Sequence, residues 1–140
     1  MIIKIKRLHK DAKIPTRALK GDVGFDLYSI ETTIILPEKH EMIETGIALE
    51  MPKGYYCEIH SRSGLRKKGV FPPVGIIDQN YRGPLGVILY NFSDKALTIH
   101  KGDRIAQVIF KQYVEDVKFK EVKKLSSSER GNKGFGSTGR

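Results

Sequence analysis

Cysteine is almost absent from this 140-residue chain. Cys57 is the only one, which excludes an intrachain disulfide and a cysteine-rich zinc site and suits a reducing compartment. Histidine is sparse too: His9, His40, His60 and His100 lie too far apart for any local metal-ligand spacing. No stretch is long and apolar enough for a membrane span. The amino end, Met1-Ile2-Ile3-Lys4-Ile5-Lys6-Arg7, alternates charge with apolar residues and lacks the continuous apolar segment of a secretory signal. Sustained i, i+3, i+4, i+7 apolar spacing is missing, which excludes a long helix. So are the P-loop, His-Glu-x-x-His and Gly-x-Ser-x-Gly signatures.

What remains is a basic chain of one domain's length, large enough to bury a core without staples. Twenty-five lysines and arginines against sixteen acids give a net charge of +9 and a pI near 9.7. A positive field favours a polyanionic partner, either nucleic acid or a small phosphate-rich molecule. Part of that charge is a solvated run, Lys118, Lys120, Lys123 and Lys124.

The periodicity is that of strands. Ile3 and Ile5 alternate with Lys4 and Lys6; Ile43, Thr45, Ile47 and Leu49 alternate around Glu44 and Gly46; Val117 and Phe119 alternate with Lys118 and Lys120. Further strands are expected over residues 32–36, 55–60, 86–92, 96–99 and 105–112, punctuated by proline and glycine turns such as Pro52-Lys53-Gly54 and Lys101-Gly102-Asp103. One short helix is expected over residues 63–68, with a serine as its cap. Many short strands at regular spacing predict an all-β fold, a sandwich, barrel or jelly roll. Residues 1–125 read as one domain, and Ser126-Ser127-Ser128-Glu129 as the hinge into a mobile glycine-rich arm over residues 126–140.

Four segments offer chemistry at strand ends. Gly75-Ile76-Ile77-Asp78-Gln79-Asn80-Tyr81-Arg82-Gly83 reads as a hairpin whose Asp78 is either a general base in a partly apolar setting or a turn residue bonding its own backbone. Ser61-Arg62-Ser63-Gly64-Leu65 is either a phosphate cradle or a helix cap. In Gly102-Asp103-Arg104-Ile105-Ala106-Gln107, Gln107 needs a partner if buried, while Asp103 and Arg104 read as a structural ion pair or cap. Gly24-Phe25-Asp26-Leu27 carries an acid that is either an ordinary loop residue or a water-mediated holder of a hard cation.

The last eleven residues hold four glycines around one large ring, Phe135. Gly136, Ser137, Thr138 and Arg130 suit phosphate oxygens, and Phe135 suits a flat ring, so the arm is either a lid or a solubilising end. Its Gly134-Phe135-Gly136-Ser137-Thr138-Gly139 matches G-x-G-x-x-G only formally, because no helix and no distant acid can follow it in this chain.

Taken in order, residues 21–29, 61–65, 75–83, 102–107 and 130–139 resemble the five motifs of the trimeric deoxyuridine triphosphatases, the dUTPases. The resemblance spans nearly the whole chain. It implies a jelly-roll or distorted β-barrel subunit, a homotrimer with sites at subunit interfaces, and Mg²⁺-dependent hydrolysis of dUTP to dUMP and pyrophosphate. That activity limits uracil in DNA and supplies dUMP for dTMP synthesis. Carried over, Asp78 is the base for water attack on the α-phosphorus, and Asp26 holds Mg²⁺ through water. Arg62, Ser63, Gly64 and Gln107 hold phosphates. Gly75, Ile76 and Ile77 line the uracil reader, Tyr81 packs on the deoxyribose, and Arg130, Phe135, Gly136, Ser137 and Thr138 close over the nucleotide. The resemblance further implies a cytoplasmic enzyme, or a nuclear or host-cell one in a eukaryote or virus, with no membrane and no stable nucleic-acid partner.

Several positions depart from the family's commoner residues: Val23, Arg66, Asn80 and Pro72-Pro73, the last where many bacterial members carry an Asn near the nucleoside. Two rivals stand beside this reading. A dCTP deaminase is similar but carries Arg-Ser-Ser and a catalytic Glu in the strand over residues 86–92, where this chain has Val87-Ile88-Leu89-Tyr90-Asn91. A basic β-barrel for single-stranded nucleic acid fits the charge, yet Tyr55, Tyr56, Phe71, Tyr90 and Phe92 fall where strand-core residues are expected, with no aromatic-rich basic face.

Overall fold

A computed structural model describes residues 1–134. Eleven strands and one helical turn follow in the order β1 (Lys4–Arg7), β2 (Phe25–Tyr28), β3 (Thr33–Ile35), β4 (His40–Glu44), β5 (Ile47–Glu50), β6 (Tyr55–His60), α1 (Ser63–Arg66), β7 (Val70–Phe71), β8 (Gly75–Ile77), β9 (Gly86–Asn91), β10 (Leu97–Ile99) and β11 (Arg104–Gln112). The expected all-β class holds. The ladders form a four-stranded sheet, β2-β11-β6-β8, a three-stranded sheet, β4-β9-β7, and the pairs β1-β5 and β3-β10, every pairing antiparallel. These ladders do not close into a barrel. No described helix is long and apolar enough to cross a membrane.

Period-two alternation sorts the two faces. In β6, Cys57 and Ile59 turn inward while Tyr56 and His60 stay partly exposed; in β9, Val87, Leu89 and Asn91 are buried while Ile88 and Tyr90 face out. Leu27, Ile35, Ile43, Ile47, Leu89 and Val108 join them in one core, each full burial contributing about 1.5–3 kcal/mol. Asn91 is the polar exception. Its Nδ2 donates to the Ile35 and Lys95 carbonyls at 2.9 and 2.8 Å, and its Oδ1 accepts from Ser93, so its burial leaves nothing unpaired.

The differences from the sequence reading have local causes. The alternation from Ile43 to Leu49 is two strands rather than one, broken at Thr45-Gly46. Gly46 sits at φ +68, and a Cβ there would stand 3.0–3.1 Å from side-chain carbons of His9, Ile30 and Ala12, so only glycine lets the chain cross to the next sheet. The segment expected as a strand at Val117 and Phe119 has no ladder partner among the described residues, and Phe119 is 98% exposed. Residues 75–83 are not a simple hairpin: β8 pairs with β6 and β9 with β4, so the turn after Asp78 crosses between sheets. α1 is capped at Arg62 in extended conformation with no side-chain cap bond, so Ser63 does not cap it.

Candidate active site

Asp26 lies inside β2 rather than on a loop, opposite Gln107 of β11, which in turn faces His60 of β6. Ser61 and Arg62 follow β6 directly. The register therefore gathers residues from three distant stretches of sequence at one end of the sheet. Arg62 Nε lies 2.7 Å from Asp26 Oδ1, Arg104 Nη1 lies 3.3 Å from Oδ2, and Arg62 Nη1 donates to the Arg104 carbonyl at 3.1 Å. Gln107 Nε2 donates to the Ser61 carbonyl at 2.9 Å, which supplies the partner its position demands. A Cβ on Gly24 would collide with the Gln107 amide, so a larger residue there must displace that side chain. The ion pair of Asp103 with Arg104 does not form: Asp103 accepts from the His100 amide at 2.8 Å and closes a turn.

Asp26, Arg62 and Gln107, with Asp22, Gly24 and Ser63, line a cavity of about 350 Å³. Asp26 is only 13% exposed in its side chain, and one carboxylate serves two guanidinium groups. Removing either partner of the Asp26–Arg62 pair would strand a charge at a typical cost of about 3–5 kcal/mol. Such a site suits phosphate oxygens. Among the described residues, no three His, Cys, Asp or Glu side chains converge as a metal cage. Two acids face this pocket, Asp26, with lone pairs beyond its two guanidinium contacts, and Asp22, which accepts one bond from the Leu19 amide. That donor set fits a hard cation that keeps most of its water and is bound chiefly by substrate oxygens.

Asp78 stands elsewhere. It directly follows β8, exposed, at the rim of a cavity of about 270 Å³ lined by Met42, Ile76, Ile77, Tyr81, Gly86 and Ile88. Its neighbours are apolar as expected, although solvent reaches the carboxylate. The turn is fixed by its own bonds: the Tyr81 amide donates to the Asp78 carbonyl, and Arg82 donates to the carbonyls of Gln79 and Tyr81 at 2.7 and 2.9 Å. Tyr81 Oη donates to the Pro84 carbonyl at 3.0 Å, laying its ring across Gly83, where any Cβ would collide. A larger cavity of about 640 Å³, containing Tyr56, Gln112, Tyr113 and Glu115, shares Asp78 and Ile76 from the opposite side. Met42, Gly86 and Ile88 were missed by sequence reasoning.

The structure does not bring Asp78 to the anion pocket. Asp26 and β8 are three strands apart, and the register sets Asp78 beyond Cys57 while Gln107 faces His60. At about 4.8 Å per strand and 3.3 Å per residue, the two acids are roughly 20 Å apart. One chain thus carries two separate pockets. Arg130 lies in an exposed turn whose carbonyl accepts from Lys133, and Phe135, Gly136, Ser137 and Thr138 lie outside the described residues.

A third polar group gave no local sequence signal. Glu58 on β6 accepts from Lys111 on β11 at 2.7 Å and from Tyr56 at 2.8 Å, and meets His60 Nε2 at 2.7 Å. The bond from Lys111, then those from His60 and Tyr56, hold its carboxyl down at about 2. Cys57, one residue away, faces the core, and burial pushes its thiol up to about 12, so it is no nucleophile.

Comparison with known proteins places these features in a family. The dUTPase family model matches residues 10–139. The deoxyuridine 5'-triphosphate nucleotidohydrolase of Clostridium tetani is 47% identical over 99% of this chain and 97% of its own. That of Monkeypox virus is 45% identical over 91% of this chain and 84% of its own. Among solved structures, the dUTPase of Staphylococcus bacteriophage 80alpha with dUpNHpp superposes with a TM-score of 0.91 at 32% identity, covering 99% of both chains. A mutant dUTPase of phage phi11, in which a structural Mg(II) ion is coordinated, gives a TM-score of 0.83 at 25% identity, over 91% of this chain and 100% of that one.

Proposed function

This chain belongs to the dUTPase family, and from that premise we propose that it hydrolyses dUTP to dUMP and pyrophosphate, as a homotrimer of jelly-roll subunits in the cytoplasm. The observation that carries the reading is the division of one chain into a polar pocket offering the Arg62 guanidinium, the Ser63 hydroxyl and the Gln107 amide, and an apolar pocket with an exposed carboxylate at its rim, each chemically suited to one half of a nucleoside triphosphate. Because about 20 Å separates them, a working site joins the Asp78 pocket of one subunit to the Arg62 pocket of another.

In that site the base lies against Ile76 and Ile77, with the backbone of Gly75 to Asp78 reading the uracil edge. A cytosine leaves those groups wrongly paired, a mismatch that can cost far more than one methyl group. Tyr81, held by Pro84, packs on the deoxyribose. Arg62, Ser63, Gly64 and Gln107 grip the phosphates and fix the α-phosphorus in line with a water on Asp78, which accepts the proton as the water attacks. Mg²⁺, when bound, neutralises phosphate charge, and Asp26 anchors its water shell. Phe135 covers the base while Arg130, Gly136, Ser137 and Thr138 close over the phosphates.

The test is pyrophosphate release from dUTP, UTP, dTTP and dCTP with and without Mg²⁺. Rapid release from dUTP alone, lost on chelation, is expected. Equal turnover of UTP, or ammonia from dCTP, would overturn the reading.

A further inference from the structure

The outward face of the β4-β9 ladder is apolar where the outer side of an antiparallel sheet is usually polar. Met42 stands opposite Ile88, 67% and 40% exposed, and Phe92, an aromatic expected in the core, is 64% exposed beside Tyr90, on which it stacks at 5.8 Å and 15°. Met42 belongs both to this face and to the pocket beside Asp78. A missing side chain sets its position: Gly86 lies diagonal to it in the ladder, and a Cβ there would stand 3.2 Å from Met42 Sδ and 3.3 Å from Cγ. The thioether therefore rests over the Gly86 backbone and, with Ile76, Ile77 and Ile88, gives the pocket its apolar lining. The chain's other sulfur atoms are placed differently. Met51 is 3% exposed and Cys57 fully buried, both in the core, while Met1 lies in a separate apolar cleft with Phe25 and Phe110.

We infer that Met42 is a redox-modification site, at which hydrogen peroxide or an organic hydroperoxide oxidises the thioether and the resulting sulfoxide weakens nucleotide binding. The inference rests on the base-pocket reading above and adds to it the residue and the chemistry that turn the pocket off. A sulfur lone pair attacks the hydroxyl oxygen of the peroxide, so that an S–O bond forms as the O–O bond breaks; the departing oxygen takes up the proton and leaves as water or alcohol. Sulfur loses two electrons and the peroxide gains them. A dithiol reductant reverses the step, the sulfoxide oxygen leaving as water while the two thiols close to a disulfide. Oxidation turns an apolar, polarisable group into a polar one. A base that packs on this wall must then strip water from the new oxygen, which costs binding energy, whereas Asp78 and the phosphate-holding residues are unchanged. The loss therefore falls on KM. Access follows from the pocket's use: an opening that admits a nucleotide admits a peroxide, and hydrogen peroxide carries no charge for Asp78 to repel.

The experiment treats the folded protein with hydrogen peroxide and follows oxygen addition to each methionine peptide by mass spectrometry. Met42 should be oxidised well before Met51, and dUMP should slow oxidation at Met42 without slowing it at Met1. KM for dUTP should rise about 10-fold or more as Met42 is converted, and methionine sulfoxide reductase with dithiothreitol should bring it back. Met42→Gln, which places a polar side chain on the same wall, should raise KM without peroxide. In Met42→Leu, which keeps an apolar wall without the sulfur, peroxide should leave KM where it stood before treatment. Full oxidation of Met42 at unchanged KM, the same rise in peroxide-treated Met42→Leu, or oxidation of Met42 that dUMP does not slow overturns the inference in a protein that still hydrolyses dUTP. A chain that releases no pyrophosphate from dUTP fails the reading above, and the inference with it.

Discussion

Asp26 sits on one edge strand of the four-stranded sheet and Asp78 directly after the other, yet the first is 13% exposed and gripped by two guanidinium groups while the second is open to solvent. The difference follows from where the strands sit. Asp26 is on β2, with β11 and the loop after β6 crowded against it, so its setting is complete within one chain. Asp78 follows β8, the strand at the other edge of that sheet, and stands exposed at the rim of two cavities. Folding of one chain satisfies the first carboxylate and leaves the second open to solvent.

The widest separation of the two acids comes from Asp78→Asn. Turnover should fall about 10²- to 10⁴-fold with nucleotide affinity little changed, as for loss of a general base, and the fold should stay within about 0.5 kcal/mol because the group is exposed. Near-normal kcat would end its role as base. A smaller effect sharpens the Asp26 side. Gly24→Ala drives a methyl group into Gln107 and displaces it from the pocket, whereas Gly64→Ala meets nothing within 4 Å. The first should lose up to about 100-fold in kcat/KM together with Tm, the second only in KM with Tm kept. An unchanged KM in Gly64→Ala removes that residue from the phosphate contacts.

Glu58 supplies the smallest and most indirect comparison, a third carboxylate that is structural without facing a pocket of substrate. Its carboxyl is held at about 2 against an ordinary 4.5, so folding favours its ionised form. The resulting stability is fully present above pH 4.5 and is lost progressively as pH falls towards 2. In Glu58→Gln that acid-dependent increment should vanish, leaving a flatter stability profile between pH 4.5 and 2 by circular dichroism. A profile unchanged from wild type would show that Lys111 and His60 do not hold the charge.

Strands such as β6, β9 and β11 were legible because alternating residues meet core and solvent with period two. β2 was not, because Asp26 in a four-residue strand looks like a turn former until its two arginines are seen. The five motif segments were legible as chemistry because their residue types are local. Their division between two separate pockets was not, since it depends on which strands lie three apart in a sheet. The Glu58 cluster and the apolar face were hidden for the same reason: Lys111 is 53 positions from Glu58, and Met42 meets Ile88 only across a ladder. Val117 and Phe119 erred in the opposite direction, since alternation supplies a pattern but not a partner.

Cys57 turns the core into a clock. Its thiol is fully buried in the middle of β6, paired on one side with β8 and on the other with β11, and pushed up to about 12, so an alkylating reagent at neutral pH finds neither access nor thiolate. Modification can proceed only when β6 parts from its neighbours. With one cysteine in the chain, the labelling rate counts those openings directly, and its slowing when nucleotide is added would report how strongly an occupied site clamps the sheet that carries it.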